Sequence, residues 1–188
     1  MMPQSAGSEP QTNPRKRRIV AFGPGPRFKG GIANYNTSLA RALERNGGTE
    51  VHIVSWTQQY PAIVPRDFID RKSKADRLEG AKVEVHYTLN YNRPSTWRKT
   101  AVLIRDLDPE AVVIQWAIAI QGIPLRYLAG KLQRAGIRVV FDLHFVVQKE
   151  NSRLDRLLTR RCISRGDIYI THSLNTFREL RELMPRKD

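Results

Sequence analysis

Cysteine is almost missing from this sequence: Cys162 is the only one in 188 residues. A lone thiol builds neither a disulfide framework nor a cysteine-rich metal site, which suits a reducing compartment. No nucleophile motif surrounds it, so it reads as a small apolar residue on a helix face. Long hydrophobic runs are missing as well. No stretch approaches the ~20 apolar residues that span a bilayer. Residues 1–13 hold no apolar segment beyond the Met pair, so residues 1–17 read as a polar, disordered, basic leader and not as a secretory signal. Acidic residues are the third scarcity. Asp and Glu number 18 against 32 Lys and Arg, a net charge of +14, which calls for an anionic partner: nucleic acid, an acidic membrane or a phosphorylated substrate.

Hydrophobic residues make up 40% of the chain, the level of a globular protein. A chain of this length fits one domain and can bury a core unaided. Short apolar runs alternate with stretches of helical period. Strands are expected over Ile19–Phe22, Val51–Trp56, Val83–Tyr87, Ala111–Trp116, Ile137–Phe141 and Ile168–Ile170. Helices are expected over Gly31–Asn46, Ser95–Leu107 (with Ser95 as N-cap), Pro124–Ala135, Ser152–Arg165 and Leu174–Leu183. Tyr60–Gly80 has no clean period and reads as a long loop. The alternation predicts an α/β fold, a Rossmann-like parallel sheet with helices on both faces. Such sheets bind ligands beyond the carboxyl ends of their strands. The positions to examine are therefore the Gly23–Gly31 loop, Ser55-Trp56, Gln115-Trp116, Asp142–Phe145 and Thr171-His172-Ser173.

The first strand runs into Gly23-Pro24-Gly25-Pro26-Arg27-Phe28-Lys29-Gly30-Gly31 and then a helix. Glycine at a helix start admits a ligand close to the backbone, and the free N–H groups with the helix dipole favour an anion there; the alternative is a glycine-rich turn that packs the helix against the strand. Lys29 and Arg27 would add positive charge. Two phosphate motifs are excluded. Gly31-Ile32 stand where a Walker A loop requires Lys and Ser or Thr, and Phe28 stands where the dinucleotide fingerprint requires its third glycine.

Gly30-Gly31-Ile32-Ala33-Asn34-Tyr35, Leu39-Ala40-Arg41-Ala42-Leu43 and Glu50-Val51-His52-Ile53-Val54 follow in order. Val139–His144, Asp167–Ser173 and Phe177–Leu183 come later. This ordered set, over roughly residues 18–183, resembles the N-terminal domain of family-4 glycosyltransferases. The resemblance implies one half of a GT-B fold, two Rossmann-like domains facing across a cleft. It implies sugar transfer from a nucleotide-sugar to an acceptor with retention of configuration, and neither metal nor other cofactor. Residues 18–188 would be the acceptor-side domain, with the C-terminal nucleotide-sugar domain absent from this chain or carried on a separate one. Gly30 and Gly31, with Lys29 beside them, would meet the donor diphosphate. His144 would be the catalytic residue at the sugar end of the cleft, by hydrogen bonding or proton handling, or else a strand-end histidine satisfying a backbone group. Asn34, Trp116, His172 and Ser173 would line the acceptor cleft, although Ser173 also fits an N-cap and Trp116 also fits packing.

Three features stand apart from the resemblance. Ser152–Arg165 carries Arg153, Arg156, Arg160, Arg161 and Arg165, with Leu154, Leu157, Leu158 and Ile163 as its apolar side, the pattern of an ordinary solvated charged face or of a helix lying on an acidic membrane. A cytoplasmic protein with peripheral contact at the inner face of the membrane fits that pattern, and the resemblance, through membrane-associated members of that family, implies a lipid-linked acceptor. A second cluster, Arg15–Arg18, reads as a solubilising leader or a phosphate contact. Asp106-Leu107-Asp108 has a metal-binding DxD form but reads as a polar connector before a buried strand. The alternatives to an enzyme are a basic nucleic-acid-binding module, for which no reading motif is present, and an inactive scaffold or partner subunit.

Overall fold

The computed structural model describes residues 17–64, 68–71, 77–146 and 152–185. The strands are β1 (Arg17–Phe22), β2 (Thr49–Gln58), β3 (Val83–Asn90), β4 (Ala111–Trp116), β5 (Arg138–Leu143) and β6 (Ile168–Thr171). They form one sheet in the order β3-β2-β1-β4-β5-β6, and every neighbouring pair is parallel. The helices are α1 (Gly31–Arg45), α2 (Pro94–Asp106), α3 (Gly122–Arg134), α4 (Arg153–Ile163) and α5 (Leu174–Leu183). The residues expected as leader lie outside the described residues except Arg17, which opens β1.

Apolar strands buried on both faces are what a parallel sheet requires. Strand side chains alternate between faces, and the core divides accordingly. Val20, Phe22, Val54, Val112, Ile114, Val139 and Phe141 join Ala101 and Ile104 of α2, Leu125, Leu128 and Leu132 of α3, and Cys162 and Ile163 of α4. Ala21, Val51 and Ile53 point the other way, onto Ala40 and Leu43 of α1. Helices therefore cover both faces, as the alternation predicts. Small residues on the α1 side let that helix approach closely, and its N-terminus arrives over the ends of β1 and β4.

Helix ends differ modestly from expectation. Pro94 is the first residue of α2 and Arg93 occupies the cap position, so Ser95 lies inside the helix and does not cap it. Ser152 and Ser173 do cap, accepting from the Asp155 and Thr176 amides. Asp108 adopts φ 48° immediately before β4, as a connector. The apolar side expected for α4 divides: Thr159, Cys162 and Ile163 face the core, whereas Leu154 and Leu157 are 63% and 44% exposed among the arginines. Burial pushes the Cys162 thiol pKa up, only partly opposed by Arg126, which keeps it an inert core group.

At the other edge, β6 pairs only with β5 among the described residues. Ile168, Ile170, Leu174 and Phe177 are exposed there, an apolar sheet edge of the kind proteins normally cover. None of the described helices is long and apolar enough to cross a membrane.

Candidate active site

The carboxyl ends of β4, β5 and β6 bring polar side chains together because of their register. Gln115 of β4 and Asp142 of β5 are direct partners. Leu143 pairs with Thr171, so the next residues, His144 and His172, also stand side by side. The backbone N–H of His144 donates to the Trp116 carbonyl at 3.0 Å, which extends the ladder one residue and fixes where this imidazole starts. The two rings stack, centroids 4.9 Å apart and 13° from parallel.

Asp142 is fully buried and organises the group. His172 donates from Nε2 to Asp142 Oδ1 at 2.6 Å, and Gln115 donates from Nε2 to Oδ2 at 3.3 Å. An ionised carboxylate only accepts, so the Gln115 NH2 faces it and the amide oxygen faces away. That oxygen lies 2.6 Å from His144 Nε2, which must then be the protonated nitrogen. His144 Nδ1 is left as an acceptor. Burial holds the His144 pKa below its ordinary value; the Asp142 charge opposes this and His172 adds to it. A neutral, hydrogen-bond-accepting imidazole follows.

Tyr35, on the second turn of α1, closes the cluster. Its ring meets both imidazoles edge to face, at 5.0 and 5.3 Å. Its hydroxyl pKa is pushed up to about 12, first by burial and then by the charge of Asp142 and a hydrogen bond to it. Tyr35 thus stays a donor and ties the helix behind the glycine loop to the strand ends. Asp142, His144 and His172 also offer ligand atoms within 4.8 Å of one another, enough to hold a metal ion. With Nε2 of each imidazole engaged by Asp142 or Gln115, the arrangement reads as a hydrogen-bonded relay.

The glycine loop abuts this cluster. A Cβ on Gly23 would stand 2.7 Å from Gln115 Cγ, so only glycine lets the loop leave β1 beside Gln115. Gly25 donates to Ser55 Oγ at 2.8 Å. Gly30 has φ 104°, a left-handed value that suits glycine. Open space surrounds the Cβ positions of Gly30 and Gly31. No side chain caps α1, and its first turn has no acidic residue. The first amides of α1 are therefore left without a side-chain cap, the geometry of an anion site, one turn before the Tyr35 ring that meets the imidazoles.

The remaining expected residues fall in different places. Lys29 is exposed beside Gly30. Arg27, expected to add charge to the loop, instead stacks over the Tyr87 ring at 3.9 Å and donates to the Trp56 carbonyl at 2.9 Å; its guanidinium is held by the end of β2. Asn34 Oδ1 accepts from Arg77 at 2.5 Å, and Arg77 also binds the Phe28 carbonyl and Asp70, so Asn34 braces the loop from outside. Ser173 caps α5 at the turn that presents His172. Trp116 is 1% exposed and packs edge to face on Phe141; it offers no face to an acceptor. Gln115 and Asp142 stand among the strand-end positions to which the sequence directs attention, but no role was expected of either, and none of Tyr35.

The family profile of Glycosyltransferase Family 4 matches residues 29–188. Solved structures agree in fold. An alpha-glucosyltransferase in complex with UDP-glucose and DNA containing an abasic site is 19% identical with a TM-score of 0.55, over 92% of this chain and 40% of its own. Anabaena Alr3699/HepE in complex with UDP and glucose is 11% identical with a TM-score of 0.59, over 89% and 41%. The chain thus spans about two-fifths of the length of these structures. No curated protein matches it. With that match over most of its length, the chain belongs to glycosyltransferase family 4.

Proposed function

We propose that this domain is the acceptor-side half of a retaining glycosyltransferase that uses a nucleotide-sugar donor. The observation that carries the reading is that α1 starts uncapped at the open Gly30-Gly31 turn and one turn later sets Tyr35 against His144 and His172. Negative charge grows on the donor diphosphate as the glycosidic bond breaks, and fixed N–H dipoles at a helix start stabilise such charge without reorganising. Lys29 adds to that field from the rim. His144 Nδ1 accepts a hydrogen bond from a hydroxyl of the sugar, and the Gln115–Asp142–His172 chain holds the ring in place. The nucleotide would rest largely on a second domain, in this gene product or on a separate chain. The apolar edge of β6 and α5, uncovered among the described residues, supports an incomplete unit.

The test is transfer from nucleotide-sugar donors by this domain joined to its nucleotide-sugar half, with the product anomer read by NMR. Retention is expected, with a rate loss of about 10²-fold or more in His144→Ala. An inverted product, or an unaffected variant, would reject the reading. Leu154 and Leu157, exposed among the arginines of α4, support peripheral contact with an acidic membrane and a lipid-linked acceptor. In the same assay acidic vesicles should raise the rate and neutral vesicles should not.

The second reading, nucleic-acid binding, draws on the net charge of +14 and on the fold neighbour solved with DNA. Retention on immobilised DNA that salt reverses, together with no transfer in the assay, would favour it.

A further inference from the structure

A second cluster of ligand-bearing side chains lies in the entry halves of β2 and β3, away from the strand ends that carry His144 and His172. Here register again does the placing. Arg18 pairs with Glu50, and His52 with Glu84. His86 follows Glu84 by two residues and so shares its face.

Three donor atoms converge. His52 Nδ1 lies 3.5 Å from Glu84 Oε2, His86 Nε2 lies 3.3 Å from His52 Nδ1, and His86 Nε2 lies 3.7 Å from Glu84 Oε2. Ligands held at zinc-like distances around a tetrahedral ion stand about 3.3–3.5 Å from each other. The triangle therefore has the dimensions of one face of such a tetrahedron before any ion draws it in.

The supporting shell fits the same purpose. His52 Nε2 donates to Glu50 Oε1 at 2.9 Å, and Glu50 Oε2 is held by Arg18 at 3.0 Å. A carboxylate behind a ligating histidine fixes its tautomer and raises its basicity. With the His52 proton on Nε2, its Nδ1 lone pair points into the triangle. In the empty state His86 donates its Nε2 proton to that lone pair. On metal binding this proton relocates to His86 Nδ1, so the neutral imidazole ligates without net proton loss. His52 is 4% exposed, while the Glu84 side chain is 72% exposed. The site is anchored on one side and open to solvent on the other. An ion pair alone does not explain the geometry, because an exposed glutamate gains little from one.

We propose that His52, His86 and Glu84 bind one divalent transition-metal ion of the zinc type, with solvent as fourth ligand, clamping the edge strand β3 to β2. Two imidazoles with one carboxylate select such an ion over magnesium or calcium, which favour oxygen ligands throughout.

The test uses the metal-stripped chain without an affinity tag, titrated with zinc and followed by thermal unfolding, and with cobalt followed by visible absorption. His86→Asn and Glu84→Ala are compared with His172→Asn, which removes a ligand from the other cluster. One equivalent of zinc should raise the melting temperature of the unaltered chain and of His172→Asn alike, and cobalt should give tetrahedral bands in both. Binding should weaken at least tenfold in His86→Asn and in Glu84→Ala; Glu84 is exposed enough for its variant to fold. Absence of any zinc response in the unaltered chain would overturn the proposal. So would a response that survives in both β3 variants and disappears in His172→Asn, which would assign the ion to the cluster at the strand ends.

Discussion

Asp142→Ala should disable the site and weaken the fold together, with a loss of about 2–4 kcal/mol in stability and at least 10²-fold in sugar transfer. The carboxylate is fully buried and accepts from His172 and Gln115, and Tyr35 donates to it as well. Deleting it leaves the buried Gln115 amide without its acceptor, which is the costly half of the hydrogen-bond ledger, and takes the acceptor from the more exposed His172 as well. Freed from the carboxylate, the Gln115 amide can turn, and the His144 tautomer is no longer specified. Urea denaturation measures the first effect and the transfer assay the second. Full activity with only a small loss of stability would show that His144 is oriented by something other than this relay.

Trp116→Ala should cost about 3–5 kcal/mol, a fall in melting temperature of roughly 10 °C for a chain of this size. The indole is 1% exposed. It lies 6.3 Å from the Phe141 ring, edge to face, and closes on the backbone of Gly122, where a Cβ would sit 3.4 Å away. Its removal leaves a cavity at the meeting of β4, β5 and α3. Trp116→Phe should retain most of the stability and all of the transfer activity. If Trp116 gripped an acceptor, Trp116→Phe would instead raise KM with little loss of stability, so the pair of variants separates packing from binding.

The fold was legible because strands and helices differ in apolar period. Val112-Val113-Ile114 and Val139-Val140-Phe141 are continuous runs, as doubly covered strands must be, and the expected strand of Ala111–Trp116 agrees to the residue. The candidate site was legible in outline. The loop of Gly30 and Gly31, the strand-end His144 and the neighbouring His172 all stand where the rule for parallel sheets directs attention. Partnership was hidden. Tyr35 looks like an ordinary apolar position of α1, and only the approach of that helix to the sheet brings it onto two imidazoles. Arg27 counted as loop charge until Tyr87, far away in sequence, was seen beneath its guanidinium. Trp116 drew attention as an aromatic at a strand end, yet strand-end position does not reveal which side of the sheet an indole faces. His52 and His86 lie 34 residues apart, and no spacing rule joins them; parallel register does.

The most direct measurement is a titration of this domain, joined to its nucleotide-sugar half, with the nucleotide-sugar donor that supports transfer, followed through the domain's backbone amide and histidine ring resonances. The largest shifts are expected at the amides of Gly30, Gly31 and Ile32 and at the His144 ring, with the rest of the sheet unmoved. Shifts confined to the arginines of α4, or none at these positions at a donor concentration that saturates transfer, would contradict the placement of the donor diphosphate at the start of α1.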